Sequence, residues 1–280
     1  MNNLSIISGF SIFGIEIRFY GVLIAMAFAI GLVLAIHFCK KKGYDPNLPY
    51  SLILIVFPSA IVGARLNYVL FTLDRGWTFW EIFEIWHGGL MIYGGVIFSV
   101  IAIAIFCKVK KIRFISMLDM LAPVLILGQA IGRWGNFFNQ EAYGNLITNP
   151  SLQWFPFGVY IEKAHFTSEA LTQVFNAFGT TNIDGAWFNA TFFYESFWCL
   201  GGFILLYFLY TKTNKSGLTT ATYLAYYGFE RFFVEMIRTD SLYIGSLKVS
   251  VLISGVIFLL GAGYLVYLLV KHIKSKRRQV

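Results

Sequence analysis

Charge is what this sequence has least of. Only 13% of its 280 residues are Asp, Glu, Lys or Arg, where a soluble domain carries about a quarter. Cysteine is also scarce. Cys39, Cys107 and Cys199 all fall in or at the ends of apolar blocks. No disulfide framework, CxxC pair or Cys/His metal spacing follows from them. The four histidines, His37, His87, His165 and His272, are scattered, so neither a metal site nor a cofactor is expected. The N-terminus lacks a basic leader and a small-residue cleavage site, so its first apolar block reads as a retained span rather than a signal peptide.

What is present is apolar. The chain is 58% hydrophobic and 19% aromatic, with a mean hydropathy of +0.67. Seven long blocks stand out, at 19–38, 50–71, 88–107, 114–131, 187–210, 218–236 and 249–270. Each is close to the ~20 residues a helix needs to cross a bilayer. The expected fold is an all-α integral membrane protein, a seven-transmembrane-helix bundle forming one membrane domain over 1–280.

A formal net charge of +8 by itself suits nucleic acid binding, but fourteen of the 22 Lys and Arg fall in four clusters. These are Lys40–Lys42, Lys108–Arg113, Lys212 with Lys215, and Lys271–Arg278. Such clusters mark cytoplasmic loops. Putting all four inside requires the N-terminus outside and the C-terminus in the cytoplasm. The outer segments are then 1–18, 72–87, 132–186 and 237–248. The third is too long for a simple loop, so a small folded extracytoplasmic insertion is expected at 132–186.

Polar groups within the blocks are few, and each is costly in lipid. They are Tyr20, Arg65, Asn67, Tyr93, Arg133, Asn136, Glu195, Arg231 and Glu235, with Arg238 just beyond. With odd spans running inward, all fall in the outer half, the deepest roughly 10 Å below the surface at 1.5 Å per residue. A one-sided layer suits a site entered from the outer leaflet better than a full-depth ion path. Its arginines point to an anionic ligand, since guanidinium forks match phosphate oxygens. A phospholipid head group is the obvious anion at that depth. Structural readings stand beside this one. Arg231 and Glu235 are spaced as an i,i+4 ion pair, Arg65 could pair with Glu195, Tyr20 could be an aromatic-belt residue, and Arg238 could merely snorkel.

The most unusual stretch runs Gly132-Arg133-Trp134-Gly135-Asn136-Phe137-Phe138-Asn139-Gln140-Glu141-Ala142-Tyr143-Gly144. By itself it could be a helix C-terminus followed by a polar loop. It resembles the signature GRxGNFxNxExxG of bacterial prolipoprotein diacylglyceryl transferases, and every fixed position is met. Other stretches are similar to that family in order: Arg18-Phe19-Tyr20-Gly21, Gly63-Ala64-Arg65-Leu66-Asn67-Tyr68, Gly88-Gly89-Leu90-Met91-Ile92-Tyr93-Gly94-Gly95, Tyr194-Glu195-Ser196, and Tyr227 to Arg238.

The resemblance implies an enzyme of the bacterial cytoplasmic membrane. It would move the diacylglyceryl group of phosphatidylglycerol onto the lipobox cysteine of a prolipoprotein signal peptide. A thioether forms and glycerol 1-phosphate leaves. Its partners would be membrane lipid and that peptide. Arg133, Arg231, Glu141, Asn136 and Tyr93 are the expected catalytic groups. Arg133 again, with Tyr20, Arg65, Asn139, Gly144, Glu195, Glu235 and Arg238, would bind substrate. Tyr93 marks a departure, because several family members have His there. Tyrosine, with an ordinary pKa of about 10, is a poor base. Tyr93 is therefore expected to hydrogen-bond the head group. Thiolate formation would rest on the field of the arginines, with Glu141 as reserve acceptor. A lipid transporter and a purely structural membrane protein are the competing classes. The inner half, with little beyond His37 and Asp119 close to its cytoplasmic edge, argues against the first, the intramembrane charges against the second.

Overall fold

The computed structural model describes residues 8–239, 243–244 and 247–277. Residues 1–7, 240–242 and 245–246 of the expected outer segments, and Arg278 of the last basic cluster, lie outside them. Eight helices follow in order: α1 Phe19–Lys42, α2 Leu48–Phe71, α3 Ile92–Val109, α4 Phe114–Asn139, α5 Ser168–Phe178, α6 Thr191–Lys212, α7 Leu218–Ile237 and α8 Val249–Arg277. Six of them, α1 to α4, α6 and α8, are long and apolar enough to cross a membrane. The chain is thus a multi-pass helical membrane protein. Helix α7 is of similar length but carries Glu230, Arg231 and Glu235. Short 3-10 turns lie in the connections, and the strands pair as three antiparallel hairpins: β1 Gly9–Ile12 with β2 Ile15–Arg18, β3 Gly158–Glu162 with β4 Gly185–Asn189, and β5 Tyr243–Ile244 with β6 Leu247–Lys248.

Three boundaries differ from the sequence reading, each for a local reason. Helix α4 does not stop at 131 but runs through the signature to Asn139. It ends where Gln140 turns left-handed at φ +50. The Gln140 amide then bonds Phe137 O at 3.1 Å and the Glu141 amide bonds Asn136 O at 3.0 Å. That is a Schellman stop, so the signature is the C-terminus of α4 through Asn139 followed by a short non-helical stretch to Gly144. Helix α3 starts at Ile92 rather than 88, because Gly88 and Gly89 take φ of +82 and +72. Residues 187–189 are strand, in β4, so α6 starts at Thr191.

The chain divides into two compact units, residues 32–118 and residues 1–31 with 119–280. In the first, α2 and α3 cross with almost no side chain between them. A Cβ on Gly63 would strike Gly94 O and the Phe98 side chain, and one on Gly94 would strike Gly63 O. Lipid supplies no hydrophobic drive between helices, so close backbone packing of small residues does that work. The Met91 amide adds a bond to Ala64 O at 3.0 Å. The 72–91 connection is knotted by Arg65, which is 6% exposed. Its guanidinium donates to Glu81 O at 2.5 Å, Ile82 O at 2.9 Å, Gly88 O at 2.8 Å and Gly89 O at 3.2 Å. It also lies against the Trp77 and Tyr68 rings at 5.1 and 5.6 Å. The left-handed glycines turn their carbonyls toward it.

In the second unit, α7 and α8 cross at Gly228 and Gly261, whose absent Cβ atoms would meet the Phe258 and Ala225 backbones. Asp119 of α4 caps α7 from outside that helix. It accepts from the Gly217 amide at 2.6 Å, the Thr220 amide at 2.9 Å and the Thr220 hydroxyl at 2.8 Å. This satisfies orphan N–H groups and opposes the helix dipole. Between α4 and α6 lies a folded insertion. Its core is Tyr143, Val159, Ile161, Ala170, Val174, Ala186 and Phe188, continued by Ala190 and Phe192. The Tyr143 hydroxyl donates to His165 O at 2.8 Å and accepts from the Thr167 amide at 2.8 Å.

Candidate active site

The long-range ion network of the second unit is built on three helices. Glu195 sits one turn into α6 and is 1% exposed. Its Oε2 accepts Arg133 Nη2 of α4 at 2.6 Å and Arg231 Nη1 of α7 at 2.8 Å. Its Oε1 lies 3.8 Å from Arg238 Nη1, at the C-terminus of α7. Arg231 Nη2 reaches Glu235 Oε2, one turn along, at 2.5 Å. Charged groups this deep persist only when paired, and here each arginine is fixed by a carboxylate. Arg133 and Arg231 keep some exposure, 16% and 14% of their side chains, where Glu195 keeps 1%. The cations are thus less completely buried than the anion.

Neighbouring signature residues hold this geometry. Trp134 Nε1 donates to Ser196 Oγ at 3.1 Å, and Ser196 Oγ donates to Ala130 O at 2.8 Å. These bonds tie α4 to α6 beside the Arg133–Glu195 pair. Tyr194 OH donates to Phe157 O of the insertion, and Lys248 Nζ caps the end of α7 at Glu235 O and Arg238 O, at 3.1 and 2.9 Å. Gly135 has no side chain because the Tyr20 ring occupies that space. Tyr20 itself is 37% exposed.

Beyond the helix end, Glu141 folds back. Its Oε1 accepts Asn136 Nδ2 at 3.0 Å and Asn139 Nδ2 at 3.2 Å. Glu141 is exposed, so the carboxylate is held in place yet open to solvent. Gly144 is buried, and its Cβ would meet Asn189 Cβ at 2.9 Å and Thr191 Cγ2 at 3.0 Å. A side chain at this position would collide with those of Asn189 and Thr191.

The structure therefore gathers Arg133, Glu195, Arg231, Glu235 and Arg238 into one network, and Asn136, Asn139 and Glu141 into a second cluster. Arg65 and Tyr93 belong to the 32–118 unit. Where the sequence allowed Arg65 to pair with Glu195, each has partners within its own unit: backbone carbonyls take the guanidinium of Arg65, and Arg133 and Arg231 take Glu195. Tyr93 lies in the first turn of α3, 38% exposed. One acid escaped the sequence reading. Glu230 of α7 is 5% exposed, and neither carboxyl oxygen has a hydrogen-bond partner among the described residues. It stands at a variable position of the motif, next to Arg231. An acid inside one of the apolar blocks was the available signal.

A family profile described as prolipoprotein diacylglyceryl transferase matches residues 8–267. The chain belongs to the prolipoprotein diacylglyceryl transferase family. One relative is the phosphatidylglycerol--prolipoprotein diacylglyceryl transferase of Clostridium botulinum (strain Loch Maree / Type A3), 41% identical over 272 residues, covering 96% of this chain and 98% of the relative. The transferase of the same name from Clostridium kluyveri (strain ATCC 8527) is 41% identical over 260 residues, covering 92% and 95%. Membership of this family spans both units, including every residue of the two clusters.

Proposed function

We propose that this chain transfers the diacylglyceryl group of phosphatidylglycerol to the cysteine thiol of a prolipoprotein lipobox, releasing glycerol 1-phosphate as the first step of lipoprotein maturation. The observation that carries the reading is the convergence of Arg133, Arg231 and Arg238 on Glu195. The sulfur attacks the glyceryl carbon that bears the phosphate. As the C–O bond breaks, negative charge grows on the leaving phosphate. Fixed cations in a dry site lower that barrier most. Glu195 sets the arginine forks in position before substrate arrives, and each fork keeps further N–H groups to offer a phosphate. The nucleophile comes from the peptide, so the enzyme needs none of its own.

Asn136, Asn139 and Glu141 form a rigid polar patch that orients the glycerol head group, with Tyr20 beside it. Arg65 supports this chemistry by shaping the 72–91 connection, and Tyr93 hydrogen-bonds the lipid head group. The chain crosses the cytoplasmic membrane seven times, α7 being the span that carries the charges, with the N-terminus outside. The insertion then lies outside, where signal peptides of exported prolipoproteins emerge. Purified protein, phosphatidylglycerol labelled in its acyl chains and a lipobox peptide test the reading. Label should appear on the peptide, and not on a peptide whose Cys is replaced. No labelled peptide would refute the function.

A further inference from the structure

One end of the folded insertion carries no charge. No Asp, Glu, Lys or Arg occurs between Glu141 and Glu162. Within that run Leu152, Trp154, Phe155 and Phe157 are each 40–53% exposed, although the insertion has a core of its own. A clustered apolar surface of this kind marks a place that something covers.

The loop that carries these residues is fixed to the start of α6. The Phe157 carbonyl accepts the Ala190 amide at 3.2 Å and also the Tyr194 hydroxyl. The Phe155 ring meets Phe193 edge-on at 4.8 Å, and Phe193 stacks on Phe197 at 6.2 Å. Phe197 is 71% exposed on a helix long and apolar enough to cross a membrane. The patch thus continues, ring by ring, the exposed apolar face of α6. The 22 residues from Thr191 to Lys212 cover about 33 Å at 1.5 Å per residue, close to the ~30 Å of a hydrocarbon core. Thr191 then falls at the hydrocarbon boundary, and the rings clamped beside it fall there too. Charge is distributed to match. The β3–β4 hairpin pairs Gly158 with Asn189 at its α6 end and Glu162 with Gly185 at the other. Glu162, Lys163 and Asp184 gather at that far end, where the Lys163 amide bonds Asp184 O at 2.9 Å. Four steps of about 3.3 Å along β3 separate them from the patch.

We propose that the 150–157 loop is a membrane-interface anchor, its rings seated among the head groups and upper acyl chains of the leaflet where α6 begins. It requires that α6 spans the bilayer and is independent of the transfer reaction proposed above. Aromatic side chains favour this zone, where an apolar body meets lipid and a polar edge stays near water. Trp154 Nε1 already donates to Ser151 O at 2.9 Å, so the indole takes no unpaired donor into the lipid. Phe155 also lies 6.5 Å from Trp134, the neighbour of Arg133. The anchor therefore holds the insertion, and the signature that leads into it, at the level of the bilayer surface.

A nitroxide label on a single cysteine reports its surroundings through collisions with oxygen, which concentrates in lipid, and with a nickel chelate, which stays in water. The full chain lacking Cys39, Cys107 and Cys199 would be placed in phosphatidylglycerol-containing nanodiscs and labelled at Leu152→Cys or Trp154→Cys. Ile204→Cys on the exposed face of α6 is the lipid reference, and Thr180→Cys in the exposed turn after α5 is the water reference. The oxygen-to-nickel ratio at 152 and 154 should be several-fold above that at 180 and approach that at 204, with no peptide present. A ratio equal to that at 180 would overturn the proposal. So would a ratio that rises only when a lipobox peptide is added, since the patch would then be a peptide site. If Trp154→Cys fails to insert, Leu152→Cys decides alone by the same comparison.

Discussion

Arg133 of α4 and Arg231 of α7 meet on a single atom, Oε2 of Glu195, at 2.6 and 2.8 Å. Two guanidinium groups this close repel each other unless a carboxylate lies between them. Glu195 therefore holds both guanidinium groups in place in the resting protein, a position that the proposed mechanism gives to a phosphate oxygen during turnover. The consequences can be tested one at a time.

Arg133→Ala and Arg231→Ala should each lower transfer by at least about 100-fold, the scale for loss of one preorganised transition-state donor. Lysine at either position should restore little, because a point charge cannot hold Glu195 and a phosphate at once as a fork can. Transfer rates of purified variants that retain wild-type elution in detergent check this. Near-normal turnover in either alanine variant would remove that arginine from the mechanism.

Glu195→Ala should be worse for stability than either arginine change. It leaves Arg133 and Arg231 buried side by side without their shared counter-charge, and breaking a buried pair costs about 3–5 kcal/mol. Thermal unfolding in detergent should show the larger drop for Glu195→Ala. The double variant Glu195→Ala with Arg133→Ala should recover part of it, since one of the unpaired cations is gone.

Arg65→Ala should act on structure rather than on phosphate. Four backbone carbonyls between Glu81 and Gly89 lose their donor at once. Amide exchange and proteolysis in the 72–91 connection should accelerate well before α2 or α3 is affected. A variant that keeps wild-type protection there, yet no longer binds phosphatidylglycerol, would make Arg65 a direct ligand instead.

Tyr93→Phe should raise KM for phosphatidylglycerol more than it lowers kcat, and Tyr93→His should keep substantial activity. Rates measured against pH for both variants decide the role. A Tyr93→Phe enzyme that binds lipid normally but recovers its full rate only at high pH would make Tyr93 the base.

In a background lacking Cys39, Cys107 and Cys199, a cysteine placed at position 165 should react with an impermeant reagent added to intact cells. One placed at position 110 should not. The opposite result would invert the proposed orientation.

Helices and their lengths were legible in the residues alone, because the bilayer leaves no other way to satisfy a buried backbone. Six of the seven apolar blocks fall on helices long and apolar enough to cross a membrane, the block at 218–236 falls on the more polar α7, and Arg231 with Glu235 is the i,i+4 pair their spacing announced. Boundaries were misread where local conformation outweighed hydropathy, as at Gly88 and Gly89 and at the end of α4, which runs past 131 to Asn139. Which polar residues meet is a different kind of information. Residues 133, 195 and 231 are far apart in the chain, and nothing in their spacing says that one oxygen serves two arginines. Nor could spacing separate the Arg65 knot from the arginine cluster, since both are arginines near the end of an apolar block. That distinction, and the unpartnered carboxyl of Glu230, came only from helix packing. In lipid, packing is decided by the close fit of small residues across helices, a long-range relationship that a one-dimensional pattern does not carry.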